Sequence, residues 1–285
     1  MAEHPNLTRP SEVRALLTQL DFHPSRVLGQ NFLIDRNILN ILLDAAELRP
    51  DDAVVEVGPG LGVLTAALLE RAAAVTAVEK DNRLAPYLRA RFADEPRLTL
   101  IHSDVLECDL PALFPRPGGK LVANLPYAIA ARLLVELTAL PHPPATIVVT
   151  IQREVADRLA AAPATDDYGL LSILMQRHYA VATVKHVAPS CFWPPPEVHS
   201  SIAKLVRRPA PLGGPADELA LRDLLRHAFS RRRKTMARSL RDLVAAPLPA
   251  LAQAGIAPAA RAEELAPEAW PALLRALPPA NARGA

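Results

Sequence analysis

The chain has 285 residues, a formal net charge of +2, and a hydrophobic fraction of 50% in which only 4% of residues are aromatic. This length and composition suffice for a sizeable, mostly aliphatic core in one large or two smaller domains. No apolar run is long enough to span a membrane and residues 1–20 lack the apolar core of a signal peptide, which argues against membrane and secreted proteins. Cys108 and Cys191 are far apart and form no CxxC motif, so we predict no disulfide framework, no metal site and a cytoplasmic location.

Positive charge is concentrated in residues 222–241, here called the basic segment. This segment carries eight lysine and arginine residues against one acid, Asp223. Such density is typical of a surface that binds a phosphate backbone, although a solvated helix face is the common alternative. The consecutive residues Arg231, Arg232, Arg233 and Lys234 cannot share one helical face, so we predict that they surround a helix end and bind nucleic acid.

Residues 1–27 are predicted to form an arm with one amphipathic helix that starts at Pro10. The segment Leu28–Leu33 (LGQNFL) follows, and it mixes a glycine and two amides with large apolar residues. Asp35 is the predicted N-cap of a helix that runs to Ala46. The segment before it suits either a lid over a polar, planar ligand or an ordinary approach to the helix.

The next segment predicts a nucleoside-binding strand–turn–helix unit. A strand over Ala53–Val57 leads into Gly58–Gly62 (GPGLG) and then a helix over 63–71. A dinucleotide fingerprint requires a glycine at position 63, where this chain has Val63, so pyrophosphate binding is disfavoured. Glu56 is unusual in a buried strand, and we predict that it reaches across the mouth of the pocket.

Two further strand ends carry carboxylates. The strand over 74–78 ends at Glu79, 21 residues beyond Gly58, where an acid is placed to accept both hydroxyls of a ribose. The strand Leu98–His102 is followed by Asp104, which could accept the amino group of an adenine or cap a helix. Together they predict a nucleoside-containing cofactor.

The segment Asn124–Tyr127 (NLPY), here called the amine-binding motif, has the groups needed to hold a planar amine. It follows a predicted strand over 120–123 and precedes a helix over 129–140. The Asn124 side chain can accept one N–H of an exocyclic amine, and the turn at Leu125 and Pro126 leaves a backbone carbonyl to accept the other. Tyr127 can stack on the ring that carries the amine. Without its context, this four-residue motif is more often a plain strand–helix turn that begins a helix at a proline.

The second half of the chain predicts the rest of the sheet and a helical tail. Strands are predicted over 146–152, as the sheet centre, over 179–187 and over 198–206, with helices over 153–162 and 170–176. Between the last two strands lies a proline-rich loop in which Phe192 or Trp193 could cover the second face of a bound base, or pack on the core. Residues 207–216 have the composition of a linker, and the remainder predicts a small helical bundle with breaks at Pro247, Pro258 and Pro267.

Taken together, these segments resemble the ribosomal RNA adenine N6-dimethyltransferase family of bacteria and its relatives. The resemblance runs from about Leu28 to about Pro267 and includes LGQNFL, EVGPGLG, VEKD, SDV, NLPY, QREVADRL, YGLLS, FWPPPEVHS and RRRKTMARSL. It implies an α/β fold: a Rossmann-like, mostly parallel, seven-stranded methyltransferase sheet with a smaller C-terminal all-helical domain. The implied domains are an arm over 1–27, an S-adenosylmethionine-dependent methyltransferase domain over 28–206, a linker over 207–216 and an RNA-binding domain over 217–285.

The resemblance also implies roles for residues at the methionine end of the cofactor, S-adenosylmethionine. Gln30, Asn31 and Leu33 would border that end, and Gly58 and Gly60 would lie beneath it. No metal is implied.

At the other end, Glu79 would hold the ribose and Asp104 would accept the adenine amine. Asn124 would contact both the cofactor and the target amine, with Leu125 and Pro126 completing the catalytic turn. Tyr127 and Phe192 would sandwich the target adenine.

Two residues depart from the family pattern. His199 stands where members often have Asp, and Leu28 replaces a more usual aromatic residue. Both departures concern local packing more than chemistry.

The implied function is N6,N6-dimethylation of two adjacent adenosines in a 16S rRNA hairpin during biogenesis of the 30S subunit. The expected partner is 16S rRNA or the immature 30S subunit, and the chain is expected to act as a monomer away from membranes. The alternatives are a 23S rRNA or DNA adenine N6-methyltransferase, and a non-catalytic ribosome-assembly factor on the same fold.

Overall fold

The computed structural model describes residues 7–25 and 29–278, so the predicted departure at Leu28 and parts of the predicted arm and tail lie outside the described residues. The described residues divide into two compact units, one within Met1–Ala156 and Ala182–Arg207 and the other within Asp157–Val181 and Arg208–Ala285. The predicted methyltransferase domain differs from the first unit in two respects: Asp157–Val181 groups with the C-terminal helices, and the described part of the predicted arm groups with the first unit. The predicted domain ranges stay a prediction.

Helices and strands alternate through the first half of the chain. The strands are β1 Phe32–Leu33, β2 Ala53–Val57, β3 Ala74–Glu79, β4 Leu98–His102, β5 Lys120–Asn124, β6 Thr146–Gln152, β7 Tyr179–Val187, β8 Phe192–Trp193 and β9 Ser200–Arg207. The α-helices are α1 Pro10–Gln19, α2 Arg36–Ala45, α3 Val63–Leu69, α4 Leu84–Arg91, α5 Leu110–Leu113, α6 Ala130–Leu137, α7 Arg153–Ala160, α8 Leu170–His178, α9 Glu218–Ser230, α10 Met236–Ser239, α11 Pro247–Gln253 and α12 Ala269–Ala276. None of the helices in the described ranges combines the length and the apolar character needed to cross a bilayer.

Seven strands form the main sheet in the order β4-β3-β2-β5-β6-β9-β7. The pairs from β4 through β6 are parallel, and β9 is antiparallel to β6. The middle strand is therefore β5, and the prediction that residues 146–152 form the centre was wrong. Both β5 and β6 are flanked on each side and equally apolar, so composition could not separate them. The chain runs outward in opposite directions from β2 and β5, and ligands of open α/β sheets bind beside such a reversal.

Helices pack on the sheet of the first unit, and aliphatic side chains form the core between them. Asp35 caps α2 as predicted, because its Oδ1 accepts the backbone N–H of Ile38 at 3.0 Å. The apolar face of α2, including Leu42 and Leu43, packs with Val148 of β6 in one buried cluster. This packing fixes the strand ends from which the candidate site is built.

The second unit is largely helical, as predicted, and the predicted prolines lie at or between its helices. Helix α11 begins at Pro247, while Pro258 and Pro267 lie between α11 and α12. The ring of Trp270 on α12 is fully buried, with its centroid 5.9 Å from that of Phe229 on α9. The core of this unit therefore includes aromatic contacts.

Candidate active site

A cavity of about 200 Å³ opens in the first unit at the carboxyl ends of β2, β3, β4 and β5. It contains every residue that the sequence assigned to cofactor binding: Gln30, Asn31, Leu33, Gly58, Gly60, Glu79, Asp104 and Asn124. Several further lining residues were not assigned from the sequence, among them Phe32, Lys80 and Asp81. The last two directly follow the ribose acid in sequence, and that proximity was the available signal.

The glycine turn after β2 brings bare backbone to the cavity. Gly58 and Gly60 both line it and have φ angles of 70° and 59°, a region that side chains other than glycine rarely adopt. A Cβ at Gly60 would lie 3.0 Å from the ring of Phe32. Gly62 (φ 76°) has a different role, because a Cβ there would lie 2.7 Å from the ring of Phe92 and 3.0 Å from Leu88. The first two glycines keep bare backbone at the cavity wall, where a side chain would crowd Pro126 or Phe32, and the third allows close packing of α3 against α4 and Phe92.

Glu79 lies at the end of β3 with its carboxylate facing the glycine turn. Its Oε2 accepts the Gly60 N–H at 3.1 Å and its Oε1 accepts the Asp81 N–H at 2.8 Å. Burial raises the pKa of Glu79, while these backbone N–H groups act in the opposite direction. Each carboxylate oxygen has a second lone pair, so the group can accept hydroxyl donors while its orientation stays fixed.

Glu56 does not cross the mouth of the pocket, so that prediction was wrong. Glu56 lines the cavity but is only 1% exposed, and its Oε2 accepts the hydroxyl of Thr65 on α3 at 2.6 Å. Burial is the main cause that raises the pKa of Glu56 to about 8, and the nearby Glu79 adds to it.

Asp104 was predicted either to accept an adenine amine or to cap a helix, and the structure shows a cap at the edge of the cavity. Its Oδ1 caps the 3-10 turn Val105–Glu107 by accepting the Leu106 N–H at 3.0 Å, and its Oδ2 accepts from the Lys80 ammonium at 2.7 Å. The hydrogen bond from Lys80 is the main cause that lowers the pKa of Asp104. An ionised carboxylate at this edge of the cavity can accept an amino group.

The segment before α2 forms the opposite wall of the cavity. The Gln30 side chain donates from Nε2 to Asp81 at 2.8 Å and accepts the Ser25 N–H through Oε1 at 2.7 Å. Asn31 places its backbone carbonyl against the amine-binding motif. This wall is continued by β1, which pairs with β8 of the proline-rich loop, a two-stranded sheet that the sequence did not predict.

The amine-binding motif adjoins the cavity with its amide already oriented. Asn124 donates from Nδ2 to the Asn31 carbonyl at 2.9 Å, so its Oδ1 is the atom able to accept a ligand amine. The Leu125 N–H is bonded to Thr150 at 3.1 Å, and no donor among the described residues takes the Leu125 carbonyl. Pro126 lines the cavity, and its carbonyl accepts the Ile129 N–H at 3.2 Å, which starts the following helix.

Tyr127 and Phe192 were predicted to sandwich a base, and the structure does not bring their rings together around the cavity. The Tyr127 hydroxyl is fixed by a 2.6 Å hydrogen bond with Ser200, and burial raises its pKa. Phe192 is 1% exposed and belongs to the core cluster with Leu33. Its neighbour Trp193 is half-buried, and the guanidinium carbon of Arg14 lies 4.1 Å from its ring centroid. The stacking roles stay a prediction.

The predicted RNA-binding residues of the second unit fall into two groups. Arg231 is ion-paired with Asp242, and Arg232 is ion-paired with Glu263 and also donates to the carbonyls of Thr165 and Asp166. These two arginines hold parts of the unit together.

Arg233 and Lys234 are exposed, and no ion pair is recorded for either within the described residues. They are the members of the predicted set with a charge available to a phosphate.

The cavity fits a nucleoside cofactor with a bulky polar tail. Two glycines at positive φ remove side chains where the backbone meets the cavity, and the strand-end acids Glu79 and Asp104 offer acceptors for a ribose and an amino group. The residues predicted for S-adenosylmethionine therefore suit its shape and its donors.

Sequence comparisons find relatives that align over most of the chain. The chain is 42% identical over 260 residues to a ribosomal RNA small subunit methyltransferase A of Geobacter metallireducens, covering 88% of this chain and 94% of that protein. It is 40% identical over 284 residues to the protein of the same name from Shouchella clausii, covering 95% of this chain and 96% of that protein.

Structural comparisons give related enzymes. A dimethyladenosine transferase from Plasmodium falciparum superposes with a TM-score of 0.75 at 26% identity, covering 85% of this chain and 95% of that one. The 23S rRNA methyltransferase ErmE superposes with a TM-score of 0.64 at 30% identity, covering 87% of this chain and 99% of that one. These matches confirm the predicted Rossmann-like methyltransferase fold.

A family model described as "Ribosomal RNA adenine dimethylase" matches residues 22–277. The match spans both the cavity and the basic segment, and it confirms the predicted enzyme class and its cofactor, S-adenosylmethionine. The chain therefore belongs to the ribosomal RNA adenine dimethylase family.

Proposed function

We propose that this chain dimethylates N6 of two adjacent adenosines in a hairpin of small-subunit (16S) rRNA, acting on that RNA or on the immature 30S subunit as a cytoplasmic monomer. The relatives named for the small subunit, each aligned over most of its length, support this choice of RNA. The observation that carries the proposal is the orientation of Asn124, whose amide is fixed by Asn31 with its oxygen left to accept an amine.

Residues around the glycine turn are suited to hold the cofactor. Glu79 would accept the ribose hydroxyls and Asp104 the adenine amine, while Gly58, Gly60 and the Asn31 segment would enclose the methionine end. When bound, S-adenosylmethionine supplies an electrophilic methyl group with a good leaving group.

The chain's own contribution is to aim the target nitrogen. The lone pair of an adenine N6 is delocalised into the ring, which makes the nitrogen a poor nucleophile. Acceptors at Asn124 Oδ1 and the Leu125 carbonyl would hold both N–H bonds and draw the amine toward tetrahedral geometry. Tyr127 would stack on the ring, with the Ser200 hydrogen bond limiting its rotation.

Substitution of the fixed amide tests this role. We expect Asn124→Ala to lower the rate of 16S rRNA methylation by about 100-fold, the usual scale for losing one oriented polar group at a reacting centre. Asn40→Ala is the matched control, because Asn40 is exposed on α2. Methyl transfer is measured on 16S rRNA and immature 30S particles in single-turnover reactions. Near-normal transfer by Asn124→Ala would refute the assigned role.

The exposed side chains of Arg233 and Lys234 would bind RNA phosphates. Replacing Arg233 and Lys234 with glutamine should weaken RNA binding and reduce the slope of log affinity against log salt by about two, since two phosphate contacts are lost. Arg89→Gln with Arg116→Gln is a control of equal charge change, because both arginines are exposed and lie outside the basic segment. An unchanged salt slope in the Arg233 and Lys234 variant would exclude them from the RNA contact.

The similarity to ErmE makes 23S rRNA the second candidate substrate. Parallel reactions with separated 16S rRNA, 23S rRNA and duplex DNA discriminate the alternatives. We expect two methyl groups on each of two neighbouring adenosines in 16S rRNA. Preferential modification of 23S rRNA or DNA would replace the proposal.

A further inference from the structure

The buried acid Glu56 has no part in the roles described so far. It lies inside the main sheet on β2, where an ionised carboxylate is costly because burial removes its hydration. Thr65 supplies a hydrogen bond to Oε2, and the structure records no partner for Oε1 within the described residues. Glu56 is one of the residues that line the cavity, so a charge bound there lies close enough to act on this carboxyl through the low-dielectric interior.

Within the described residues, no cation acts on Glu56. On the elements packed against β2, Glu79 on β3 is an acid and Glu70 follows the end of α3 at the surface. The charged residues of α2, Arg36 and Asp44, are also exposed. Lys120 begins β5 level with Val54, and it is ion-paired with Asp52 at 2.8 Å, near the opposite end of the strand. The carboxyl is therefore buried beside another acid and without a counter-charge.

The cavity as a whole is acidic. Its described lining includes four carboxyl groups, those of Glu56, Glu79, Asp81 and Asp104. Lys80 is the one basic side chain in that lining, and its ammonium is bonded to Asp104 at 2.7 Å. An acidic cavity with one cation already paired is complementary to a positively charged ligand.

We propose that Glu56 is a specificity-determining residue that favours the sulfonium cofactor over its thioether product, by releasing its proton to solvent when the cation enters. This inference rests on the proposed function, because the two ligands differ by the transferred methyl group and one positive charge. The carboxylic acid becomes a carboxylate, the proton goes to the buffer, and no other bond changes. After methyl transfer the positive charge is gone, so the carboxylate regains a proton and the product is held less tightly.

The proposal has a definite pH dependence. With the pKa of Glu56 at about 8 in the free protein, the acid is mostly protonated at neutral pH and must lose its proton to attract the cation. Affinity for S-adenosylmethionine should therefore rise with pH up to about that value, while affinity for S-adenosylhomocysteine changes little. The amino and carboxyl groups of the methionine end are common to both ligands, so their own titration cancels in the comparison.

Titration calorimetry of the full chain tests the inference. Binding of each ligand is measured in buffers of different ionisation enthalpy, which gives the number of protons released. We expect release of close to one proton with S-adenosylmethionine at about pH 7 and little with S-adenosylhomocysteine. Between about pH 6.5 and 8.5, the preference for the cation should rise by at least about tenfold.

Two variants locate the effect. Glu56→Gln should abolish the proton release and flatten the preference, whereas Glu70→Gln, an exposed acid on the same unit, should change neither. Thr65→Val removes the hydrogen bond that favours the ionised form, so the midpoint of the pH dependence should move to higher pH.

The outcomes separate this inference from the proposed function. Equal proton release with both ligands, or unchanged release in Glu56→Gln, would overturn the role of Glu56 while leaving the enzyme class intact. Failure of the unsubstituted chain to bind S-adenosylmethionine would instead count against the proposed function.

Discussion

Replacing Glu56 with glutamine should remove a specific dependence of stability on pH. Glu56 is fully buried, and its pKa is raised from the ordinary 4.5 to about 8, mainly by burial. A carboxyl whose pKa is raised on folding favours the native state when protonated. Its contribution is fully present below about pH 4.5 and is lost as pH rises through about 8. Glutamine has a similar shape and cannot ionise, so it should lack this loss.

The magnitude follows from the two pKa values. The gap between 4.5 and about 8, at about 1.4 kcal/mol per pH unit, gives an effect of about 5 kcal/mol over the full range. Between about pH 5.5 and 7.5, the free energy of unfolding of the unsubstituted protein should fall by about 3 kcal/mol relative to Glu56→Gln.

Urea unfolding followed by circular dichroism at several pH values measures this difference. Subtracting the variant from the unsubstituted protein cancels the titration of the groups that they share. Glu70→Gln serves as control because Glu70 is exposed at the end of α3, and its difference curve should be flat. Parallel curves for Glu56→Gln and the unsubstituted protein would show that Glu56 is not held protonated, which would refute the reasoning.

Two further substitutions test the packing inside the first unit and the ion pairing inside the second. Gly62→Ala should lower the free energy of unfolding by about 2–4 kcal/mol, since its Cβ would lie 2.7 Å from Phe92. Gly118→Ala, at another positive φ but with nothing within 4 Å, should cost about 1–2 kcal/mol in the same urea titration. Arg177→Met should lower the thermal midpoint, because this fully buried guanidinium pairs with Glu218 at 3.0 Å and donates to the carbonyls of Leu212 and Gly214, and methionine makes none of these bonds. An unchanged midpoint would contradict that role.

The site could be predicted from sequence where local chemistry determines position. The strand over Ala53–Val57 has its predicted bounds, because the apolar run is followed directly by glycines. These glycines have positive φ angles, which are typical of a turn and end the strand. Glu79 and Asp104 follow from the same rule, since the ends of neighbouring parallel strands meet at one edge of a sheet. The segment at Gln30 joined the site through the family resemblance, because local sequence left a lid and a helix approach equally open.

Contacts between distant segments could not be predicted in the same way. The pairing of Phe32–Leu33 with Phe192–Trp193 joins segments about 160 residues apart, and each strand has only two residues, too short for a periodic pattern. This pairing belongs to the arrangement in which Phe192 is buried in the core. An aromatic residue in a proline-rich loop suggested a stacking surface, and the sequence alone gave no sign of its partner strand.

The basic segment shows why composition identifies a surface but not its working residues. Arg231 to Lys234 are equivalent as a run of charge, yet Arg231 and Arg232 are neutralised by Asp242 and Glu263, whose positions depend on the fold. A cation already paired with a carboxylate must lose that ion pair to bind a phosphate, so the net gain in binding free energy is small. Phosphate affinity should therefore reside in Arg233 and Lys234, whereas loss of Arg232 should act first on the stability of the second unit.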